Sequence, residues 1–282
     1  MSRKKILYLS DLDGTLLRPD ATLDPRDAEQ LNALAAAGVS ISYATARTIA
    51  SVSHILAQIR FTENSPPIAL MNGVLIRDMA RQRYVQRAVC GSEIAARLFD
   101  AMRDAGTYPF VYTLTEDGAL TTCYRAVPNA AMQAFMDDRI QRYGKPFRKI
   151  NGTEDIDGDI IYFCLVAPEE DVRRAEAAIA GIPHIRTTSY RDSYDTGVFY
   201  LEIFDEHASK KHAAEYLRHC TGADMIVCFG DNLNDLPMFE ASDIRVAAEN
   251  AHPTLKAQAD AMAHSGVAAF IAQHARENGL IY

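Results

Sequence analysis

The sequence predicts an α/β fold in which a core built on a parallel sheet is interrupted by an inserted α+β domain. At both ends of the chain, short apolar segments alternate with helical ones, an order typical of a parallel sheet covered by helices. The middle of the chain carries paired strands with tight turns instead. With 282 residues and 48% hydrophobic content, the chain is long enough for two domains with buried cores.

The alternation begins with a predicted strand at Ile6–Leu9. This strand leads into Asp11 and Asp13, whose side chains point to the same side of an extended backbone. Two carboxylates so placed repel each other unless a cation or a proton-transfer task makes use of them. The pair Asp24–Pro25 is typical of a helix start, and a helix is expected to follow through residues 28–37.

The same order continues in the next segment. A second predicted strand ends at Thr45 and Arg47, and a helix at Ile49–Ile59 follows it. A third strand, Ile68–Met71, is expected to extend the parallel order. Two short strands are then predicted between residues 74 and 85.

From about Arg83 the pattern changes to α+β. The predicted elements are a helix at Ser92–Ala105, strands at Tyr108–Thr115 and Ala119–Cys123, a helix from Pro128 to Tyr143, a strand at Asp159–Val166, a helix at Glu169–Ala180, and strands at His184–Ser189 and Val198–Phe204. The turn Glu116-Asp117-Gly118 favours a hairpin. We therefore predict an inserted domain at residues 83–204 and a core formed by residues 1–82 and 205–282.

The order typical of the core returns at Ser209, where a helix is predicted to begin. A strand at Met225–Phe229 follows and leads into the polar loop Gly230–Asp235. A helix carrying Met238–Ala241, a strand at Ile244–Ala248 and a helix at Pro253–Ala259 complete the predicted core. The C-terminal part is therefore expected to return to the sheet that the N-terminal part begins.

Charge and hydropathy argue against several classes of protein. A formal net charge of −8, with no long Lys/Arg-rich run, argues against nucleic-acid and anionic-membrane partners. No apolar run reaches the length of a transmembrane helix, and the stretch before Asp11 is too short for a signal peptide. A cytoplasmic protein is expected. The five scattered cysteines indicate neither a disulfide framework nor a zinc site.

The chemically active residue types follow the predicted strands of the core. They are Asp11 and Asp13, Thr45 and Arg47, and Asp231, Asn234 and Asp235. Ligands of open parallel sheets bind outside the carboxyl ends of the strands, and Lys210 at a helix start could reach that edge. Carboxylates suit Mg²⁺ and can act as nucleophiles, while the metal and a lysine neutralise phosphoryl oxygens. The set predicts phosphoryl transfer.

These segments resemble the four motifs of the haloacid dehalogenase-like (HAD) hydrolase superfamily. The matching residues are Asp11-Leu12-Asp13-Gly14-Thr15, Thr45 with Arg47, Lys210, and Gly230-Asp231-Asn232-Leu233-Asn234-Asp235. The position and start of the insert resemble the type-2B cap of the Cof-like sugar-phosphatase group, as do Asn72–Gly73 and Ala247–Ala251. The resemblance implies a Rossmann-like parallel sheet core with an inserted α+β cap, in which the cap sets specificity.

The resemblance also implies a role for each catalytic residue. Asp11 would attack phosphorus and form an aspartyl-phosphate. Asp13 would protonate the leaving alcohol and then activate the water that hydrolyses the intermediate. Thr45 would hydrogen-bond a phosphoryl oxygen, and Lys210 would offset the negative charge.

Substrate and metal ligands follow from the same resemblance. The substrate would contact Thr45, Arg47 and Asn234. Mg²⁺ would be held by Asp11, the backbone carbonyl of Asp13, Asp231 and Asp235.

Two positions depart from the usual motifs. Ala46 replaces the middle glycine of Thr-Gly-Arg, a small change because alanine is nearly as small as glycine. The usual Lys-Gly is Lys210–Lys211 here. The register assigns the role to Lys210, but Lys211 could compete for it.

The predicted function is a Mg²⁺-dependent phosphatase acting on a small phosphorylated metabolite such as a sugar phosphate. The expected protein is a monomer or homodimer. A phosphomutase or phosphotransferase, which passes the phosphoryl group to a second hydroxyl, remains an alternative. A non-catalytic binding protein of the same fold is the other, although Asp11 and Asp13 are both present.

Overall fold

A computed structural model of the protein describes residues 4–192 and 197–281. The chain forms two compact units. The first ends at Gln86 and resumes at Ser209, and the second comprises Arg87–Ala208. The second unit therefore begins and ends four residues later in the chain than the inserted domain predicted at residues 83–204.

The described strands can be numbered along the chain. They are β1 (Ile6–Ser10), β2 (Ser40–Tyr43), β3 (Ile68–Leu70), β4 (Leu75–Asp78), β5 (Arg83–Arg87), β6 (Phe110–Leu114), β7 (Leu120–Tyr124), β8 (Phe147–Lys149), β9 (Asp159–Ala167), β10 (Ile185–Arg191), β11 (Phe199–Asp205), β12 (Met225–Gly230), β13 (Ile244–Ala248) and β14 (Ala261–Ala263).

The described α-helices are numbered in the same way. They are α1 (Pro25–Ala36), α2 (Ile49–Ile55), α3 (Ser92–Asp104), α4 (Ala130–Tyr143), α5 (Glu169–Ile179), α6 (Lys210–Thr221), α7 (Leu236–Glu240), α8 (Pro253–Lys256) and α9 (Val267–Glu277). None of these described helices combines the length and hydrophobicity required of a membrane-spanning segment.

The first unit is built on a five-stranded parallel sheet in the order β14-β13-β12-β1-β2. All five residues of β1 are buried, because this strand lies between two neighbours in a sheet whose faces are covered. The predicted α/β fold class with a parallel sheet core is confirmed. The parallel pairing of β1 with β12 places the carboxyl ends of these two strands side by side, with Ser10 opposite Phe229.

The third predicted strand does not extend this sheet as a full member. β3 pairs with β4 in a separate three-stranded sheet, and a single parallel bridge from Ala44 to Ala69 links it to the end of β2. The chain then turns sharply at Met71, Asn72 and Gly73, all of which have positive φ. Left-handed backbone at two non-glycine residues is costly, so the surrounding structure must hold this turn in place.

The second unit contains a six-stranded sheet in the order β10-β11-β9-β6-β7-β8. Its neighbouring strands are antiparallel except for the parallel pair β7–β8. Val111, Phe163 and Leu201 are fully buried in a core that includes residues of α3 and α5. This unit is α+β, as its sequence predicts.

Three elements have no counterpart in the sequence prediction. β8 and β14 have three residues each, too few to show a period of alternation. Helix α9 was also not predicted, although its Val267, Ile271 and Ala275 are buried at helical spacing.

Candidate active site

Sheet register brings the first and last polar segments of the core together. Because β1 and β12 are parallel neighbours, Asp11 follows β1 directly beside the end of β12, and its backbone N–H donates to the carbonyl of Phe229 at 3.0 Å. Asp231 begins the loop after β12 at the same edge. Carboxylates separated by some 220 residues in the sequence are therefore neighbours here.

Lys210 lies between two of these carboxylates. Its ammonium donates to Asp11 Oδ1 and to Asp235 Oδ1, both at 2.6 Å, and the residue is 2% exposed. It is the first residue of α6, whose N-cap is Ser209. Lys211 turns away to an exposed pair with Glu240. The structure thus places Lys210, and not Lys211, among the carboxylates.

Close backbone packing fixes the start of α6. Gly73 has a φ of +92°, and a Cβ at this position would overlap the carbonyl oxygen of Ser209. The side chain of Ser209 accepts a hydrogen bond from the backbone N–H of His212, which satisfies one of the free donors at the helix start. The tight turn after β3 therefore packs directly against the residue that precedes Lys210.

Asp235 uses both carboxylate oxygens inside the protein. Oδ1 accepts from Lys210, and Oδ2 accepts from the backbone N–H groups of Asp231 and Asn232 at 2.9 and 3.1 Å. The side chain is fully buried. A Cβ at Gly230 would approach the Asp235 side chain to 2.7 Å, so glycine is needed there. Asp235 therefore holds the loop in shape as well as facing Lys210.

Asp231 is held from the opposite side of the site by the first loop. Thr15 Oγ1 donates to Asp231 Oδ1 at 3.2 Å, and Gly14 lies so close that a Cβ there would overlap the Asp231 carboxylate. Asn250 donates from Nδ2 to the carbonyl of Gly14 at 2.9 Å. Two separate segments of the core, one carrying Asp231 and one carrying Asn250, thus fix the loop after β1.

Burial raises the pKa values of two of these carboxyls, Asp11 and Asp231, and so favours their neutral forms. It raises the pKa of Asp11 to about 8, against the opposing effect of Lys210, and raises that of Asp231 to about 6. Burial disfavours the Lys210 ammonium, but Asp11 and Asp235 outweigh it and hold the pKa of Lys210 above its ordinary value. One cation is therefore shared among three acidic groups, and the site would favour a second cation.

The donor set fits a small divalent cation. Carboxylate oxygens of Asp11, Asp231 and Asp235 lie within 4.8 Å of one another, which is the one such cluster found in residues 4–192 and 197–281. Hard oxygen ligands of this kind suit Mg²⁺. The carboxylate of Asp13 is not part of this cluster.

Thr45 lies at the same edge, after β2. It is 1% exposed, and its backbone is fixed on both sides, because its N–H donates to Ala69 and its carbonyl accepts from Asn72. Its Oγ1 accepts from the backbone N–H of Arg47 at 3.1 Å. The hydroxyl hydrogen remains able to donate to a ligand.

Arg47 and Asp13 form a bidentate ion pair. Arg47 Nε and Nη2 donate to the two carboxylate oxygens of Asp13, both at 2.6 Å. The third nitrogen, Nη1, donates to Ser51 Oγ at 2.7 Å. This partnership was not predicted. Asn234 is exposed in the single turn Leu233–Asp235, and its side chain is not among the cluster's contacts.

Sequence reasoning missed several residues that shape the site. Asn250, Ser51 and Thr15 have no predicted role, yet each makes a hydrogen bond that holds a site residue or its loop. The only sequence signals were that Asn250 lies in the stretch Ala247–Ala251, which resembles the Cof-like group, and that Thr15 lies in the first motif. Single Ser, Thr and Asn residues are too common for such a signal to be recognised without the fold.

The second unit carries its own buried polar group. Glu202 is 7% exposed, accepts from the Tyr190 hydroxyl at 2.9 Å, and has a pKa raised by burial.

Lys145 is a second buried group of this unit. The Lys145 ammonium lies 3.9 Å from the centre of the Tyr112 ring, and burial lowers its pKa to about 7. Tyr194, a polar residue of the same part of the sequence, lies outside the residues that the structure describes.

Comparison with known proteins agrees with this geometry. The family model for haloacid dehalogenase-like hydrolases matches residues 8–271. YxeH of Bacillus subtilis (strain 168), a protein provisionally named a phosphatase, is 28% identical over 255 residues, 88% of each chain. YwtE of the same organism, named 5-amino-6-(5-phospho-D-ribitylamino)uracil phosphatase, is 27% identical over 291 residues, covering 96% of this chain and 94% of its own.

A solved structure shows the same fold. It is described as a sugar phosphatase of HAD subclass IIB, and it superimposes with a TM-score of 0.69 at 20% identity, covering 99% of this chain and all of its own. The family model alone spans most of the chain and includes every segment of the site. The protein belongs to the haloacid dehalogenase-like hydrolases.

Proposed function

We propose that the protein is a Mg²⁺-dependent phosphatase that hydrolyses a small phosphorylated metabolite, a sugar phosphate in the first instance, through an aspartyl-phosphate on Asp11. The observation that carries this proposal is the Lys210 ammonium held between Asp11 and Asp235, with Asp231 beside them. Relatives named as phosphatases support the activity. The compound in the name of YwtE is a uracil that carries a phosphorylated ribityl chain, and this small phosphorylated metabolite supports the substrate class.

In the first step a carboxylate oxygen of Asp11 attacks the phosphorus. A bond forms between this oxygen and phosphorus while the bond from phosphorus to the alcohol oxygen breaks. Asp13, as the carboxylic acid, gives its proton to the departing oxygen, so that an alcohol and not an alkoxide leaves. The buried contact with Lys210 offsets the charge on the phosphoryl oxygens.

In the second step the aspartyl-phosphate is hydrolysed. Asp13, now a carboxylate, takes a proton from a water molecule, and the resulting oxygen nucleophile forms a bond to phosphorus. The bond between phosphorus and Asp11 breaks, which releases inorganic phosphate and restores both side chains. Asp13 suits a role that requires access to solvent, because its side chain is 48% exposed.

Asp11, Asp231 and Asp235, with the backbone carbonyl of Asp13, are the residues proposed to hold Mg²⁺. A bound Mg²⁺ supplies charge neutralisation at the phosphoryl oxygens and favours the carboxylate form of its ligands. The raised pKa values of Asp11 and Asp231 support this assignment, because buried carboxyls of this kind are poor nucleophiles and ligands until a cation accompanies them.

Thr45 and Asn234 are proposed to contact the substrate, Thr45 by donating its hydroxyl hydrogen to a phosphoryl oxygen. The sequence also suggests Arg47 for this task. Its three guanidinium nitrogens are engaged with Asp13 and Ser51, so a direct contact with substrate would require this pair to open.

The test is phosphate release from a panel of sugar phosphates, nucleotides and pyridoxal phosphate, with Mg²⁺ and with EDTA, on wild type and Asp11→Asn. Release that requires both Mg²⁺ and Asp11 supports the proposal and ranks the substrates. No release from any compound contradicts it. The same reactions with added glucose, analysed for newly phosphorylated sugar, distinguish a phosphotransferase from a phosphatase.

A further inference from the structure

The three nitrogens of the Arg47 guanidinium donate to partners inside the core unit. Two of its nitrogens hold both oxygens of Asp13 at 2.6 Å, and the third holds the hydroxyl of Ser51 at 2.7 Å. The backbone N–H of Arg47 also donates a hydrogen bond, to Thr45 Oγ1. A planar guanidinium that donates two hydrogen bonds to a carboxylate fixes both the position and the plane of the carboxyl group.

The two ends of this chain of contacts differ in their surroundings. Ser51 is 6% exposed and belongs to helix α2, so it is a fixed anchor. The Asp13 side chain is 48% exposed, whereas that of Arg47 is 22% exposed. An aspartate with that much exposure can take several rotamers unless a partner selects one. Arg47 therefore links the exposed carboxyl of Asp13 to helix α2 and restricts the rotamers of Asp13.

We propose that Arg47 is a positioning residue that acts through Asp13, with Ser51 as its anchor, and does not bind the phosphoryl group itself. This inference rests on the proposed function, in which Asp13 protonates the leaving oxygen. A small misplacement of an acid is costly, because proton transfer requires hydrogen-bond reach in the transition state. The Asp13 oxygen that carries the proton must give up its hydrogen bond with Arg47. The hydrogen bond between Arg47 and the other oxygen holds the carboxyl group in place during this step.

The inference specifies the class of substrate for which Arg47 matters. An aliphatic alcohol, such as a sugar hydroxyl, is a poor leaving group and needs the proton of Asp13. The p-nitrophenolate ion leaves without protonation. A residue that positions the acid therefore affects sugar phosphates strongly and p-nitrophenyl phosphate weakly, whereas a residue that binds the phosphoryl group affects both alike.

The experiment compares kcat/KM for p-nitrophenyl phosphate and for the sugar phosphate that wild type hydrolyses fastest. This constant ends at the first irreversible step, cleavage of the leaving group, so hydrolysis of the aspartyl-phosphate does not enter it. The variants are Arg47→Gln, Ser51→Ala, Asp13→Ala, and Asp13→Ala combined with Arg47→Gln. The matched control is Arg245→Gln, which removes a second bidentate pair of the core, with Asp260, at the start of β13.

Arg47→Gln is expected to lower kcat/KM about 10²-fold for the sugar phosphate and at least tenfold less for p-nitrophenyl phosphate, since a general acid contributes about 10²–10⁴-fold. Ser51→Ala should show the same preference with a smaller loss. In the Asp13→Ala background, Arg47→Gln should cost nothing further, because its route of action is gone. Arg245→Gln should leave both constants unchanged.

A second measurement does not depend on turnover. Calorimetric titration with inorganic phosphate in the presence of Mg²⁺ should give Arg47→Gln the same dissociation constant as wild type. A tenfold weaker binding of phosphate, or equal losses on both substrates that persist without Asp13, would show that Arg47 binds the phosphoryl group and would overturn the inference. So would unchanged kinetics in Arg47→Gln. If wild type releases no phosphate from either substrate, the proposed function fails and the inference fails with it.

Discussion

The ammonium of Lys210 donates a hydrogen bond to Asp11 Oδ1 across 2.6 Å, although 199 positions separate the two residues in the sequence. Lys210 follows the residue at which the chain re-enters the core unit after its second unit. The contact therefore depends on how the two segments of the core come together. It also links the proposed nucleophile to Asp235, since Lys210 bonds both.

The first prediction concerns the proposed nucleophile. Asp11→Asn should abolish phosphate release while leaving the far-ultraviolet circular dichroism spectrum unchanged, because the amide keeps the shape of the side chain and loses its nucleophilic oxygen. The measurement is Mg²⁺-dependent phosphate release from the preferred substrate. Wild-type activity in this variant would rule out the aspartyl-phosphate mechanism.

The second prediction separates the two neighbouring lysines. Lys210→Met should lower the free energy of unfolding in EDTA by about 3–5 kcal/mol, because it leaves two buried carboxylates without their cation. Lys211→Met is the matched control, and it should cost no more than about 1 kcal/mol, since its pair with Glu240 is exposed. Urea denaturation of both variants measures the difference. Equal losses would mean that the buried pairs contribute no more than an exposed one.

The third prediction concerns the turn after β3. Gly73→Ala should destabilise the protein by about 1–3 kcal/mol more than Gly38→Ala, because only the Cβ at position 73 meets other atoms, those of Ser209. Both glycines have φ near +90°, so the backbone cost of alanine is shared. Urea denaturation gives the comparison. A Gly73→Ala loss no larger than that of Gly38→Ala would show that the backbone of Ser209 yields easily.

The fourth prediction concerns the metal. Asp231→Asn should weaken Mg²⁺ binding at least about tenfold, because even partners of metal ligands contribute that much. Calorimetric titration with Mg²⁺ and the Mg²⁺-induced rise in Tm measure the effect. Asp260→Asn, which affects only the exposed pair with Arg245, is the control. Unchanged Mg²⁺ affinity in Asp231→Asn would remove Asp231 from the proposed metal ligands.

The fifth prediction is a pH dependence in the second unit. Burial lowers the pKa of Lys145 to about 7 in the folded protein, from an ordinary value of 10.5. Between these two values the unfolded chain holds a proton that the folded chain has released, so Lys145 contributes a rise of the free energy of unfolding with pH, whereas Asp11, with its pKa raised to about 8, contributes a fall up to that pH. Below about pH 7 the folded protein bears the cost of the buried ammonium in full.

Lys145→Met should remove this rise. Urea denaturation at several pH values between 7 and 10 measures it, with Lys149→Met, a change at an exposed lysine, as the control. Wild type and Lys149→Met should have the same slope, and the slope of Lys145→Met should be lower. The same slope in Lys145→Met would assign it to another group.

Part of the fold and the site follows from local sequence features. Asp11, Thr45 and Asp231 could be placed at one edge because each follows a short apolar strand, and the carboxyl ends of parallel strands meet at the same edge of a sheet. Hydrophobic periodicity and capping residues likewise predicted most helices. Both signals arise within about ten residues, so they can be read without knowing the fold.

The partners of the long polar side chains were decided by tertiary structure. Successive helix residues point about 100° apart, so only one of Lys210 and Lys211 can face the carboxylates, and the packing of α6 against Gly73 decides which. Arg47 could reach a substrate or a neighbour, and the position of Ser51 on α2 turns it to Asp13. Local sequence specifies which reactive groups gather at the edge of the sheet, because the end of a strand is a local feature. The pairing of these groups with one another, such as Lys210 with Asp11 and Arg47 with Asp13, depends on contacts between distant segments of the chain.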